Sequence, residues 1–183
     1  PMNPESVEKH LTISPKPTGS VHVGLQQDDT MMYVWGNFKP STSYTLIISG
    51  DVEDRYGQKL GVPFRLSFKT APLPPRISAS IPGQVGTFNA TGSPAIFVEH
   101  TNVSRIDFTL YELTRWELIQ LSTDYRARER FAPDPSKIVR AWSQKPSSTE
   151  RDVSLLTSTG LGDGQNSKLR PGFYYLRIKA AEN

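Results

Sequence analysis

Apolar and polar residues alternate with a period of two along much of this chain, which is the pattern of a β-strand with one buried face. The clearest alternation covers residues 64–69, where Phe64, Leu66 and Phe68 form the apolar face. Residues 44–49 show the same period. We therefore predict two half-buried strands in this region, each with its apolar face directed into a core.

Similar short segments recur at close, regular spacing on both sides of this region. They lie at residues 11–13, 21–23, 31–35, 77–81, 95–98, 106–110, 152–155 and 174–178. The polar residues 26–29 predict a hairpin connection, and the glycine-bearing residues 161–167 predict a surface loop. Many short strands with turn signals between them favour β-sandwiches, so the predicted fold class is all-β.

The period changes after Leu113. Four apolar residues then fall at helical spacing: Trp116, Leu118, Ile119 and Leu121. This spacing fits one face of a short amphipathic helix better than it fits a strand. We predict a single helical insertion in the second half of the chain.

Proline and charge divide the chain near residue 72. Residues 72–75 contain three prolines, which favour an extended, semi-rigid connector. Residues 1–71 hold 7 basic and 7 acidic residues, which leaves 14 of the 21 basic and 11 of the 18 acidic residues for the remainder. We predict two tandem β-sandwich domains, at residues 1–71 and 77–183, joined by a linker at residues 72–76.

Composition excludes several classes of protein. The chain has 183 residues and no cysteine, so it holds no disulfide, thiolate zinc site, cysteine nucleophile or thioester. No apolar run approaches the roughly 20 residues that a membrane-spanning helix needs. We expect no cofactor and no membrane insertion by this segment.

The first half resembles a bacterial Ig-like domain of the kind found in arrays on secreted and surface proteins. The resemblance rests on Pro40-x-x-x-Tyr44-T-L-x-I, G-D-V-x-D-x-Y-G and S-F-K-T within residues 40–70. The opening residues 1–7 resemble the segment just after the first strand of that family. The resemblance therefore implies that the first strand of this domain precedes the sequence given.

The second half resembles a macroglobulin-type β-sandwich from the N-terminal region of bacterial α2-macroglobulin-like proteins. The motifs are N-V-x-x-I-D-F-x-L-Y-x-L at residues 102–113 and L-x-P-G-x-Y-Y-L at residues 169–176. The resemblance implies a role in a large secreted, periplasmic or surface protein that traps proteases when cleavage of a bait segment exposes a thioester. Because this chain has no cysteine, that thioester must lie elsewhere. We expect a non-catalytic structural segment whose partners are other domains of the parent protein and proteases.

Two alternative functions stay open. The chain could be an Ig-like spacer or adhesion module, or a carbohydrate-binding accessory module. The latter needs exposed aromatic side chains, for which the candidates are Tyr33, Trp35, Trp116 and Trp142. Aromatic residues buried in a sandwich core are the commoner arrangement.

The sequence nominates no catalytic or metal-binding residue. His10, His22 and His100 lie far apart and in no ligand spacing, and no G-x-S-x-G motif is present. Asp51, Glu53 and Asp54 could offer carboxylates to Ca²⁺, but acidic residues in a turn more often cap their own backbone. We do not expect an enzyme.

Two further patterns bear on partners. Residues 126–145 contain six basic residues against Glu129 and Asp134, which could bind an anionic polymer but more often simply face water. The basic residues are Arg126, Arg128, Arg130, Lys137, Arg140 and Lys145. Residues 89–91 and 102–104 match the acceptor pattern for N-glycosylation, which we expect to be coincidental in a bacterial protein.

Overall fold

The computed structural model describes residues 2–26, 31–81, 85–89, 92–148, 150–162 and 168–182. Contacts between Cα atoms divide the chain into two compact units, Pro1–Leu73 and Pro74–Asn183, here called unit 1 and unit 2. The division falls within the predicted proline-rich linker. Most of the predicted hairpin connection, at residues 27–29, and most of the predicted loop, at residues 163–167, lie outside the described residues.

Unit 1 combines one short helix with two antiparallel sheets. The elements are α1 (Pro4–His10), β1 (Leu11–Ser14), β2 (Thr18–Leu25), β3 (Met32–Asn37), β4 (Ser43–Ile48) and β5 (Phe64–Lys69). One sheet has the order β1-β4-β5, and the other pairs β2 with β3. The strands predicted at 11–13, 21–23, 31–35, 44–49 and 64–69 are all present.

The core of unit 1 lies where α1 and the two sheets meet. Val7 of α1 and Val52 are completely buried, and Leu46 and Ile48 of β4 pack with them. Apolar residues of the second sheet, including Val23, cover the same cluster. The alternation read from the sequence of β4 therefore buries the side chains that it predicted, because Tyr44, Leu46 and Ile48 share one face of the strand.

Helix α1 was not predicted, although residues 3–10 carry the usual signals of a helix. Asn3 is the N-cap and its Oδ1 accepts hydrogen bonds from the backbone N–H groups of Glu5 and Ser6 at 3.1 and 3.4 Å. Pro4 occupies the first turn, where a missing N–H group costs nothing. Helix α1 thus leads directly into β1, the strand predicted at residues 11–13.

The turn between β4 and β5 depends on a close approach of two backbone segments. A Cβ atom on Gly50 would lie 2.7 Å from the carbonyl oxygen of Gly61, so only glycine fits at residue 50. The N–H group of Gly61 donates to the carbonyl of Gly50 at 2.8 Å. This closure carries Val52 into the core.

Unit 2 is a sandwich of two three-stranded antiparallel sheets with helices inserted on one connection. The elements are β6 (Arg76–Ser80), β7 (Ala95–Thr101), β8 (Ile106–Leu113), α2 (Arg115–Thr123), α3 (Tyr125–Arg130), a 3₁₀ turn (Pro135–Lys137), β9 (Ile138–Gln144), β10 (Leu155–Gly160) and β11 (Phe173–Ala180). The sheet orders are β10-β7-β6 and β11-β8-β9. The all-β class and the helical insertion are confirmed.

The core of unit 2 forms between the inward faces of β7 and β8. Ile106 and Phe108 of β8 face Ile96 and Val98 of β7, and all four are buried. The ring of Phe108 stacks on that of Trp142 at a centroid distance of 4.9 Å and an interplanar angle of 10°. Trp142 also donates from Nε1 to the Thr159 hydroxyl at 3.0 Å, which links the two sheets.

Three details differ from the sequence predictions. Strand β6 starts at Arg76, which the sequence assigned to the linker. Residues 152–154 are not part of a strand, because Asp152 has a φ of 61°, a left-handed conformation that β-strands exclude. The apolar face of β5 is only partly covered, since Phe64 and Leu66 are about half exposed at 50 and 47%, whereas Phe68 packs against the core of unit 1.

Truncation of the aromatic ring at residue 108 tests the packing of unit 2. We expect Phe108→Ala to lower the free energy of unfolding by about 3–5 kcal/mol, because it removes a buried ring and leaves a cavity. Phe97→Ala is the matched control, since Phe97 lies on β7 with its ring half exposed. We expect a change within about 0.5 kcal/mol for that exposed residue. Urea unfolding followed by circular dichroism measures both, and equal losses would contradict this description of the core.

Candidate interaction surfaces

The three histidines lie on different elements and do not form a site. His10 ends α1, where its Nδ1 lies 2.8 Å from the carbonyl oxygen of Ser6. His22 lies on β2. His100 is buried on β7, its Nε2 lies 3.0 Å from the Thr157 hydroxyl, and burial lowers its pKa. His10 and His100 thus bond to groups within their own units.

The acidic turn at residues 51–54 uses two of its carboxylates locally. Asp54 Oδ1 accepts hydrogen bonds from the backbone N–H groups of Tyr56 and Gln58, both at 2.8 Å. The bond from Gln58 is the largest cause of the lowered pKa of Asp54. Asp51 pairs with Lys59 at 3.3 Å. Within the described residues, no group of three His, Cys, Asp or Glu side chains could hold a metal ion.

The basic stretch 126–145 is divided among several elements. Lys137 pairs with Glu117 of α2 at 3.0 Å. Arg140 donates to the backbone carbonyls of Gly160 and Gly162, and its guanidinium lies 4.2 Å from the ring centroid of Trp142. The Arg128 guanidinium lies 5.6 Å from the ring centroid of Tyr125. At least three of the six basic side chains are therefore engaged inside unit 2.

Glu117 holds the start of the helical insertion. Its carboxylate accepts hydrogen bonds from the backbone N–H and hydroxyl groups of Thr114, both at 2.7 Å, in a complete capping box. These interactions lower the pKa of Glu117 to about 2. The largest cause is the hydrogen bond from the backbone N–H group of Thr114, followed by the hydrogen bonds from the Thr114 hydroxyl and from the Lys137 ammonium group.

The four candidate aromatic residues have different environments. Trp142 is part of the core packing, with its ring on Phe108. Trp116 is exposed on α2. Tyr33 and Trp35 are exposed at 51 and 54% and occupy alternate positions of β3, so they lie on one face of the two-stranded sheet.

The two glycosylation patterns differ in what the structure describes. Residues 90 and 91 of the first lie outside the described residues. In the second, the Asn102 side chain donates to Asp152 Oδ1 at 2.9 Å and accepts from the Asp152 N–H group at 2.8 Å.

The structure contains apolar surfaces that the sequence did not predict. In unit 1, the exposed face of β5 and residues such as Met32 and Val34 of β3 line a groove of about 430 Å³. In unit 2, a cavity of about 720 Å³ has a lining that includes Leu110, Leu113, Leu118 and Leu121. The alternation in β5 and the helical period of α2 signalled apolar faces, but they could not show how completely the facing elements cover them.

The described residues contain no helix that is both long and apolar enough to cross a membrane. No protein-family model matches the chain, and no curated protein matches its sequence.

Solved structures of bacterial alpha-2-macroglobulins share the fold. Salmonella alpha-2-macroglobulin reacted with methylamine matches with a TM-score of 0.69 and 14% identity over 97% of this chain. A point mutant of the same protein matches with a TM-score of 0.66 and 14% identity, also over 97% of this chain. This chain spans 11% of the length of each of those proteins.

A structure of native alpha-2-macroglobulin from Escherichia coli, spanning domains MG0-NIE-MG1, matches at 15% identity over 99% of this chain and 59% of that one. Its TM-score of 0.44 is too low to indicate a shared fold. The Salmonella matches show that nearly all of this chain has the fold of a segment of a bacterial alpha-2-macroglobulin, which confirms the fold resemblance inferred from the sequence.

The lowered pKa of Glu117 predicts a pH-dependent contribution to the stability of unit 2. A carboxyl group whose pKa falls from 4.5 to about 2 on folding stabilises the protein above pH 4.5, and this contribution is lost as the pH falls towards 2. We therefore expect Glu117→Gln to lower the thermal midpoint at pH 7, and we expect its difference from wild type to shrink between pH 4.5 and pH 2.

Glu8→Gln, at an exposed position of α1, is the control for removal of one carboxylate from a helix. Thermal unfolding of the full chain at a series of pH values makes the comparison. A difference between Glu117→Gln and wild type that stays constant down to pH 2 would contradict the proposed role of the Glu117 charge.

Proposed function

We propose that this chain is a non-catalytic structural and interaction segment of a large protease-trapping protein of the alpha-2-macroglobulin type. The observation that carries the proposal is the fold similarity to Salmonella alpha-2-macroglobulin, which extends over 97% of the chain at a TM-score of 0.69. Because the chain spans 11% of that protein, the other parts of the parent would supply most of the trapping machinery.

A structural role agrees with how the polar side chains are used. The buried His100 bonds to Thr157, and Glu117 caps a helix and pairs with Lys137. These groups stabilise the fold, whereas a catalytic base needs a free position within hydrogen-bond reach of a substrate. The chain has no cysteine, so a thioester of the parent protein would lie outside it.

The partners that follow from this proposal are other domains of the parent protein and the proteases that it encloses. A protein that meets foreign proteases works outside the cytoplasm, so we place the parent in the secreted, periplasmic or surface-attached class. The segment would act as part of a wall that keeps large substrates away from an enclosed protease.

We also propose that the two units are separate domains, at residues 1–71 and 77–183. Each unit has its own buried cluster, centred on Val52 in one and Phe108 in the other. We expect Phe108→Ala to lower the thermal midpoint of one calorimetric transition and Val52→Ala to lower that of another. A single transition shifted by both substitutions would contradict two independent domains.

The trapping proposal is tested on the intact parent protein. The parent is mixed with a broad-specificity protease, and residual activity is measured on a large protein substrate and on a small peptide. We expect loss of the first activity and retention of the second, because a caged protease stays open to small molecules only. Equal residual activity on both substrates would exclude trapping.

The contribution of this segment is tested with two variants of the parent. Phe108→Ala weakens the core of unit 2, and we expect it to restore cleavage of the large substrate at temperatures at which unit 2 unfolds. Phe97→Ala, with its ring half exposed on the neighbouring sheet, should trap as the wild type does. Full trapping by Phe108→Ala at temperatures at which its unit 2 has unfolded would show that the segment is not part of the enclosure.

A further inference from the structure

The outward face of the β2-β3 sheet carries an aromatic surface that the proposed function does not use. The inward positions of the two strands, including Val23 and Val34, pack on the core of unit 1. The pairing sets His22 opposite Trp35 and Gly24 opposite Tyr33. The pleat of the strands therefore brings these four residues to the outward face, and we call them the aromatic face.

The missing side chain at Gly24 leaves room for the indole of Trp35. A Cβ atom at residue 24 would lie 2.8 Å from both Cη2 and Cζ3 of Trp35, so the ring occupies the space in which a side chain would stand. Residue 24 is diagonal to residue 35, and a diagonal neighbour is within reach of a large aromatic side chain. The outer edge of the six-membered ring of the indole thus points at Gly24 of β2.

The rest of the indole is open to solvent. Trp35 is 54% exposed, and the imidazole of His22 stands beside it with the ring centroids 6.1 Å apart and the planes tilted by 33°. Tyr33 lies two residues along the same strand, about 6.7 Å from Trp35 at the usual rise of a strand. Two aromatic rings therefore follow one another along a straight, extended element.

The charge of this surface decides between classes of ligand. Neither β2 nor β3 contains Lys, Arg, Asp or Glu. A nucleic-acid surface combines stacking rings with cations along its backbone track, and that feature is missing from these two strands. The hydrogen-bonding groups of the aromatic face are the Tyr33 hydroxyl, which lies 3.7 Å from the Met31 sulfur, and the imidazole of His22, and the amide of Asn37 lies beside them at the next alternate position of β3.

We propose that the aromatic face binds a neutral, extended glycan of β-1,4-linked hexopyranoses. The negative face of an aromatic ring attracts the weakly positive axial C–H groups of a sugar whose hydroxyls are equatorial. Each of the two rings contacts a different sugar of a straight chain, while the polar groups bond the outward hydroxyls. Tryptophan and tyrosine provide this contact area at little cost in side-chain entropy.

The test is a titration of the full 183-residue chain with cellohexaose, followed by isothermal titration calorimetry and by the indole N–H signals in NMR spectra. We expect saturable binding with a Kd of about 1 mM or tighter, as suits two stacked rings on an exposed face. Maltohexaose, whose α-1,4 linkages curve the chain, should bind at least tenfold more weakly.

Substitutions locate the site and separate stacking from folding. Trp35→Ala and Tyr33→Ala should each weaken cellohexaose binding at least tenfold, whereas Trp116→Ala, at an exposed position of α2, should leave it unchanged. Gly24→Ala retains both rings but displaces the indole, and we expect a several-fold loss of affinity. Far-ultraviolet circular dichroism and the thermal midpoint check that each variant is folded.

Three results would overturn the proposal: no binding of cellohexaose at its solubility limit, binding that Trp35→Ala leaves intact, or equal binding of maltohexaose. Absence of binding together with protection of Trp35 from oxidation in the parent would assign the aromatic face to a contact between domains. Since the titration uses this chain alone, its outcome does not depend on whether the parent traps proteases.

Discussion

The alternation of side chains across each strand is the constraint on which both units depend. In β8 it buries Ile106, Phe108 and Leu110, none more than 1% exposed, and in β4 it buries Tyr44, Leu46 and Ile48. A shift of the pairing by one residue would turn these faces to solvent, so core packing and register enforce one another. The antiparallel ladders β11-β8-β9 and β1-β4-β5 hold the register on both sides of each central strand.

The same constraint creates the aromatic face in unit 1. Val23 of β2 and Val34 of β3 contact the core, so the alternation along each strand directs the residues on either side of them outward. Tyr33 and Trp35 are exposed as a consequence of a pleat fixed from the other side of the sheet. The position of the Trp35 indole does not follow from the pleat alone. It depends on Gly24, whose missing side chain leaves room for the ring.

Local capping interactions attach the non-strand segments to this framework. Asn3 starts α1, and Ser6 within that helix accepts a hydrogen bond from the N–H group of Glu53 at 2.9 Å, which joins the helix to the turn before β5. In unit 2, Glu117 joins the start of α2 to Lys137 before β9. Asp54, His100 and Glu117 likewise bond to groups within their own units.

The sequence by itself determined most strands of both units and the short helix after Leu113, and it predicted a proline-rich linker within which the two units divide. These features depend on local periodicity and turn chemistry, which a single sequence displays. It also nominated Tyr33, Trp35, Trp116 and Trp142 as aromatic candidates, but it could not separate the partly buried Trp142 from the exposed Trp35. That separation depends on which neighbouring element covers each ring.

Only the tertiary structure decided which apolar and aromatic faces are covered by other elements. Phe64 and Leu66 share a sheet face with the buried Ile48 and Leu46, but a groove of about 430 Å³ separates them from β3 and leaves them half exposed. The edge of the Trp35 indole meets its diagonal neighbour Gly24 on another strand. Periodicity fixes which residues share a face, whereas packing between segments distant in sequence fixes whether that face is covered.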